Sequence, residues 1–254
     1  KIRRYPCSMI RLVHALLTAS AMSFVALSAQ AQSQPVAWSP GYAGACGECD
    51  LSGKNLTGWS LAGGNYSSAN MEYAFMRGVQ AGNANFENAN ATSADMRGAI
   101  LTSAQFAGAI LSDARLQGIQ ASGADFRSAN VRGANLQTAL LVGANFASAD
   151  LTGSRMESAD LSGANLTGSW LNETILAGAV FNGSNMTGSQ LRNAAVHGAS
   201  FKDVRFIDAD LSGLKGAETA DFEGACVSLS STLPATLTLP LCGTAVAPAA
   251  FASK

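Results

Sequence analysis

The sequence has few of the residues that usually carry enzyme chemistry or bind nucleic acid. Charged residues make up 13% of the 254 positions, aromatic residues make up 7%, and there are two histidines. The 16 Lys and Arg residues are offset by 17 Asp and Glu residues, so the chain lacks a positive field that would attract phosphate. These shortages disfavour a nucleic-acid partner and leave little for acid–base or metal chemistry, so we expect no cofactor and no bound metal.

The residues that are abundant are small or aliphatic. Apolar residues reach 48%, mostly Ala and Leu, in a background rich in Gly, Ser and Asn. Low charge combined with regular apolar spacing does not fit an intrinsically disordered chain. The composition therefore indicates a folded protein rather than a disordered one.

The N-terminal segment has the features of a secretory signal peptide. Basic residues precede an apolar run over 12–27, and Ala29 and Ala31 form the small-residue pattern of a cleavage site. The run is shorter than the roughly 20 residues that span a bilayer. The sequence predicts a signal peptide over 1–31, followed by a linker and N-terminal cap over 32–45; a retained membrane anchor is the alternative. We expect an exported product, periplasmic or extracellular, with no stable membrane span after cleavage.

A period of five residues dominates the middle of the chain. Every fifth residue from Leu51 to Leu211 is apolar, and the residue two positions before each is usually small. A step of five turns an α-helix by about 140°, which would spread these residues around its surface, and the period-two pattern of a strand does not fit either. The pattern predicts a backbone that turns a corner every five residues, so that four sides close a coil of twenty.

A second period of twenty supports this coil. Taking every fourth repeat gathers most of the aromatic residues into one column, which we predict to be a core ladder of Tyr66, Phe86, Phe106, Phe126, Phe146 and Phe206. Leu166 and Met186 interrupt it. The amide residues that precede this column, such as Asn145 and Asn165, are predicted to hydrogen-bond from coil to coil as amide ladders do in stacked strands.

The repeats resemble a known family. The segments at 149–153, 159–163 and 164–168 read AlaAspLeuThrGly, AlaAspLeuSerGly and AlaAsnLeuThrGly, and they are similar to the A(D/N)LxG consensus of pentapeptide-repeat proteins. The resemblance covers residues 46–213. It implies an all-β fold, a right-handed quadrilateral parallel β-helix of about eight coils, with 214–254 as C-terminal cap and tail.

The cysteines fall into two local pairs near the two ends of the repeats. Cys46 lies close to Cys49, and Cys226 lies close to Cys242. In an oxidising compartment four cysteines allow three connectivities, of which these two local disulfides are the simplest. A CxxC pair can also be redox-active or form half of a zinc site, and free thiols are a further alternative.

No catalytic constellation is recognisable. His197 occupies an outward position without a nucleophile motif nearby, and Asp150 and Asp160 stand at the Asp/Asn position of the repeat, so their pairing follows from the period. The sequence predicts a protein that is not an enzyme.

One group of outward positions departs from the repeat. Trp170, Ile175 and Val180 replace the usual Asn or Asp at three successive positions, and Leu140 lies two coils from Val180. We predict a contact site here for a protein partner or for self-association; the alternative is scattered exposure of single apolar residues.

Two functions fit these observations. The favoured one is a non-enzymatic exported structural or protein-interaction scaffold. The alternative comes from the family resemblance, because some members imitate duplex DNA and protect topoisomerases from inhibitors. That role needs a strongly acidic face, whereas acidic and basic residues are mixed along these repeats.

Overall fold

The protein was examined as a computed structural model, which describes residues 46–243. The predicted signal peptide over 1–31, the predicted linker over 32–45 and residues 244–254 of the tail lie outside the described residues. The described part winds as a β-helix, in which short extended pieces alternate with turns and pair with the next coil.

Each five-residue unit forms one corner of the coil. In residues 141–145, Leu141 and Ala144 point inward and Asn145 lies on the outer surface. The Ala144 N–H donates to the Leu141 carbonyl at 3.0 Å, which closes a turn between them. The second turn residue has a positive φ, supplied here by Gly143 at 66°. At other corners Ser, Asn or Asp takes this left-handed conformation, as Ser148 does at 58°.

Successive coils pair in parallel with a register of twenty residues. Asn145 forms a bridge with Asp125 on one side and with Asn165 on the other, and the same step is repeated for the outward residue of nearly every unit. Twenty residues therefore contain four such pairing positions. The outward residues consequently form four columns, and we name each column by one of its members.

The register changes near the C-terminal end of the described chain. Ser200 pairs with Asp221 and Asp210 pairs with Thr232, which are steps of 21 and 22 residues. The named elements lie here: strand β1 (Arg205–Phe206), a 3₁₀ helix (Ala217–Thr219) and strand β2 (Cys226–Val227), with β1 and β2 parallel. No α-helix occurs within residues 46–243. The extra residues are accommodated at the corners, where the 3₁₀ turn sits.

The core is the inside of the coil. Every fifth residue from Leu56 to Leu211 is buried, and so are the small residues two positions before them. Several small positions carry hydroxyls instead of Ala. The hydroxyls of Ser169 and Thr174 donate to carbonyls three residues earlier, each at 2.7 Å, so these two are satisfied inside the coil. The buried hydroxyls of Ser154 and Ser184 have no hydrogen-bond partner within residues 46–243.

The aromatic side chains form two stacks. Tyr66, Phe86, Phe106, Phe126 and Phe146 follow one another with ring centroids 4.7 to 5.4 Å apart. A second stack of Phe181, Phe201 and Phe222 occupies the neighbouring inward column, with centroids 5.0 and 5.1 Å apart. The expected ladder placed Phe206 with the first five. Its ring instead leans at 56° against Phe201, because Leu166 and Met186 separate it from Phe146.

The predicted amide ladder forms at one step of the aromatic column. Asn165 Nδ2 donates to Asn145 Oδ1 at 3.1 Å, whereas Asn185 Nδ2 donates to Thr167 Oγ1 at 3.2 Å. The amide oxygens are mainly used within their own unit: Asn145 Oδ1 also accepts from the Ala147 N–H at 3.1 Å. This local bond competes with the coil-to-coil bond because residues two apart are always in reach.

Candidate protein-interaction surface

The four predicted contact residues lie on the outer surface in three different columns. Trp170 is 49% exposed, Leu140 is 47% exposed and Ile175 is 38% exposed, while Val180 is half-buried. Leu140 and Val180 share a column, separated by Asp160. Trp170 and Ile175 each occupy a further column. The structure therefore brings Trp170, Ile175 and Val180 to one level of the coil, with Leu140 two coils away, and does not join the four into one continuous apolar patch.

Polar and charged groups surround Trp170. Asp150 and Gln190 are its neighbours in the column. Arg132 donates to Asp150 at 3.0 Å, and Asn172 Nδ2 donates to Gln190 Oε1 at 3.4 Å. An exposed indole with a polar rim is the arrangement found at the centres of protein contacts.

A notch of about 370 Å³ lies at the corner that follows the Trp170 column. Its lining includes Arg132, Gly133, Gly153 and the acidic residues Asp113 and Glu173. The two glycines leave room between the acidic side chains. Asp113 leans toward this gap, since a Cβ at Gly133 would come within 2.5 Å of its carboxylate.

Sequence reasoning missed four further exposed apolar side chains in the repeats, and also Leu229 and Leu241 in the C-terminal cap, which are 90% and 38% exposed. Tyr73 and Phe75 are 60% and 51% exposed, Val142 is 42% exposed and Ile110 is 40% exposed. Phe75 and Ile110 occupy the same outward Asn/Asp position of the repeat as Trp170, so the five-residue period could have identified them. Tyr73 and Val142 are turn residues, and the repeat pattern does not predict whether a turn residue is polar or apolar.

Half of the charged residues of the repeats form ion pairs on the surface. Asp95, which is 4% exposed, lies between Arg77 and Arg97, at 2.7 Å from each. Arg127 donates to Asp125, and this hydrogen bond holds the pKa of the Asp125 carboxyl below its usual value. Pairing of opposite charges breaks up any continuous field of one sign.

The C-terminal cap is tied to the last coils by polar contacts. Lys202 Nζ lies 2.8 Å from Glu223 and 3.1 Å from Asp221, and these contacts raise the pKa of Lys202 to about 12. Hydrogen bonds from Ser230 and Ser228 lower the pKa of Asp208. The serines that follow β2 are thereby fixed to the coil beneath them.

Each cysteine within residues 46–243 is in a disulfide. Cys46 is joined to Cys49 and Cys226 to Cys242, with Cα atoms 5.3 and 4.9 Å apart. The first pair lies at the first described coil and the second links β2 to the last turn. In the same residues no group of three or more His, Cys, Asp or Glu side chains is arranged to hold a metal ion. His197 is exposed.

Asp150 and Asp160 are engaged in local turns. Asp150 Oδ1 accepts from the Thr152 N–H at 3.0 Å, and Asp160 Oδ1 accepts from the N–H and the hydroxyl of Ser162 at 3.0 and 2.6 Å. Both carboxylates therefore close corners of the coil, as the repeat position predicts. Over the part of the chain that is described, no helical segment has the length and apolarity needed to cross a bilayer.

Comparison with known proteins identifies the repeats. The family model for pentapeptide repeats matches eight copies, over residues 82–118, 122–157 and 159–195. No curated protein matches the chain.

Among solved structures, the chain is similar to three pentapeptide-repeat or related proteins. HetL, a protein involved in heterocyst differentiation regulation from the cyanobacterium Nostoc sp. strain PCC 7120, is 24% identical, with 74% of this chain and 86% of that chain covered and a TM-score of 0.37. A pentapeptide repeat protein from the thylakoid lumen of Arabidopsis thaliana is 35% identical, with 37% and 66% covered and a TM-score of 0.37. QnrB1, a plasmid-mediated fluoroquinolone resistance protein, is 19% identical, with 73% and 93% covered and a TM-score of 0.45.

Proposed function

Since this chain belongs to the pentapeptide-repeat proteins, we propose that it is a non-enzymatic exported scaffold that binds another protein through the apolar side chains around Trp170. Proteins built from these repeats are generally structural or interaction proteins. The observation that carries the proposal is the exposed indole of Trp170, held on a hydrogen-bonded frame and surrounded by polar groups. A rigid frame loses little conformational entropy when it binds.

The finer geometry of the coil belongs to the same proposal. We infer a right-handed, four-sided coil with about eight turns over 46–213, capped by 214–243, and a signal peptide over 1–31 with a linker over 32–45. Four pairing positions in every twenty residues support the four sides. The family resemblance supports the handedness.

Export is supported by the cysteines. The disulfides Cys46–Cys49 and Cys226–Cys242 are of the kind that persists in oxidising compartments and is rare in a reducing cytosol. The basic, apolar and small-residue order of the first 31 residues points the same way. We propose a periplasmic or extracellular location.

The absence of catalysis is proposed from what the carboxylates already do. Asp150 and Asp160 accept the N–H groups that close their own turns, and Asp150 also accepts from Arg132. A general acid or base must be free to exchange a proton with a substrate. These carboxylates therefore stabilise the turns of the coil and are not free for acid–base chemistry.

The alternative is a DNA-mimic protein that protects a topoisomerase, and QnrB1 is a fluoroquinolone resistance protein. Such a mimic needs an uninterrupted acidic face. Arg127 and Arg132 instead pair with carboxylates on this surface. The charge pattern therefore favours the scaffold.

Cell fractionation tests the proposed location. We expect the mature protein in the periplasmic or secreted fraction, without residues 1–31 and without free thiols. A cytosolic protein with reduced cysteines would refute export and favour the alternative.

Photo-cross-linking tests the proposed contact. A benzophenone amino acid at position 170 should give a discrete cross-linked protein in cells, and the same group at Phe75, which is 51% exposed in another column, is the matched control. Trp170→Asn should abolish binding of the captured protein. Equal products from both positions would show that Trp170 has no special role.

A further inference from the structure

One column of outward side chains has a symmetric order of polar and apolar residues. Successive parallel bridges join Gln80, Ile100, Gln120, Leu140, Asp160, Val180 and Ser200. We propose that this Leu140 column is the contact surface of a homodimer, in which two copies of the chain pack antiparallel about a two-fold axis through Leu140. The inference rests on the proposed interaction role, because it names a second copy of this chain as the partner that Leu140 and Val180 contact.

A two-fold axis at Leu140 places residues of like chemistry opposite each other. In such an interface each residue meets the residue of the second copy that lies equally far from the axis. Ile100 then faces Val180 of the second copy, and Gln80 faces Ser200. Leu140 faces Leu140 of the second copy. The column continues to Ser60 at one end and to Asp221 at the other, and the axis sets these two opposite each other. Over this whole length apolar residues meet apolar residues and polar residues meet polar ones, which no axis through a neighbouring residue of the column achieves.

The centre of the column is its most exposed apolar part. Leu140 is 47% exposed and Val142, at the adjoining corner, is 42% exposed. Around the axis these two side chains and their copies would form a cluster of four. Burying them removes from water the apolar surface that the single chain leaves exposed at this level.

Charge also favours a copy of this chain as the occupant. Along the column from Gln80 to Ser200, Asp160 is the single ionisable residue. The next bridge joins Ser200 to Asp221, which the axis sets opposite Ser60. A surface that pairs with itself must avoid bringing like charges together, and the Leu140 column meets this condition.

The single carboxylate has a matching donor at the level where the symmetry places it. Both hydrogen bonds that the Asp160 carboxylate accepts within residues 46–243 go to Oδ1, from the N–H and hydroxyl of Ser162. Gln120 is exposed, and its side-chain amide makes no hydrogen bond in that part of the chain. The axis brings the Gln120 amide of each copy to Asp160 of the other, where it can donate to Oδ2.

The corners beside the column allow close approach. On one side the turn residues are glycine at four successive coils, Gly123, Gly143, Gly163 and Gly183. Their positive φ can be met by Ser, Asn or Asp elsewhere in the coil, as at Ser148. On this side no turn side chain holds two copies apart, whereas on the other side Thr138 and Ser158 lie between Gly118 and Gly178.

The size of the surface sets the expected strength. Six bridges separate Gln80 from Ser200, so at the strand spacing of about 4.8 Å the column is about 29 Å long. With a side about 10 Å wide, each copy would bury roughly 300 Å² in projection, below the roughly 800 Å² per partner of a stable complex. The dimer should therefore be weak and reversible.

Site-specific cross-linking tests the axis. Leu140→Cys places a thiol on the axis, and Ile110→Cys is the matched control because Ile110 is 40% exposed at the same repeat position in the Trp170 column. All variants are made in the mature chain, without residues 1–31 and hence without Cys7, and the mature parent chain gives the background. With a short bis-maleimide we expect at least about tenfold more dimer from Leu140→Cys than from Ile110→Cys. Equal yields would overturn the proposal.

A mixing experiment tests the antiparallel arrangement. Gln80→Cys and Ser200→Cys should cross-link when mixed, because the axis sets these positions opposite each other. Each variant alone should not, because its two thiols would be about 29 Å apart along the column. Cross-linking of Gln80→Cys with itself would show a different arrangement and overturn the proposal.

A third variant separates this inference from the proposed partner contact. Leu140→Arg should give a monomer in sedimentation at high protein concentration while retaining the parent circular dichroism spectrum. Trp170→Asn should leave the dimer unchanged, because Trp170 lies in another column. Dimer loss only in Trp170→Asn would refute the Leu140 axis and leave the Trp170 contact standing.

Discussion

Removing one ring from the middle of the first aromatic stack should lower the free energy of unfolding by several kcal/mol. Phe126 is 1% exposed, and its ring centroid lies 5.1 Å from that of Phe106 and 4.7 Å from that of Phe146. Phe126→Ala removes both stacked contacts, each worth about 0.5–1.5 kcal/mol beyond burial. The total for a buried Phe→Ala change is about 3–5 kcal/mol.

We expect the upper part of that range because the walls around the cavity are held in place. The Phe126 N–H donates to the Asn145 carbonyl at 2.7 Å, and the Asp125 N–H donates to the Ala104 carbonyl at 2.9 Å. These bonds to the coils on both sides oppose collapse of the wall into the space left by the ring.

Urea unfolding followed by circular dichroism measures this cost. Phe126→Leu is the matched control, because Leu166 already occupies the same column fully buried. It should cost clearly less than Phe126→Ala. The slope of the transition must also be compared, since repeat proteins can unfold in parts. A loss below about 1 kcal/mol for Phe126→Ala would refute the stacked interior.

Three further outcomes are expected. Asn145→Ala should destabilise the protein by about 1 kcal/mol in the same urea assay, because it removes an amide that accepts two hydrogen bonds; a larger loss than that of the ring would reverse the order we predict. Gly133→Ala should cost about 1–2 kcal/mol in thermal unfolding, because its φ is +64°; an unchanged midpoint would contradict this reason. Ser230 and Ser228 lower the pKa of Asp208, so its contribution to stability is complete above the unfolded value near pH 4 and is lost as the pH falls through the folded value. Melting curves between pH 2 and 7 should therefore show a smaller acid-induced loss for Asp208→Asn than for the parent chain.

The inward side of the coil could be predicted from the residues alone. The period of five residues identified the buried positions from Leu56 to Leu211, because a backbone that turns every five residues must bury the same two positions of each unit. The step of twenty also identified which residues lie above one another, as the bridges from Asp125 through Asn145 to Asn165 show.

The contacts of individual side chains were predicted less well. The aromatic ladder was expected to include Phe206, and the second stack around Phe201 was not foreseen. Stacking requires rings in consecutive coils, whereas a column tolerates interruption by Leu166 and Met186. The amide ladder is limited to the step between Asn145 and Asn165 for another reason, because the amide groups of this column are mainly engaged by nearer groups, as Asn185 is by Thr167.

The sequence by itself determined the period, and with it the inward and outward sides, because each corner repeats the same local turn whatever lies above it. The tertiary structure decided where the step of twenty changes and which side chains within a column touch. Ser200 pairs with Asp221 and Asp210 pairs with Thr232, so the coils near the C-terminal end of the described chain are longer than the period predicts. These features depend on pairing between coils, which a local turn does not fix.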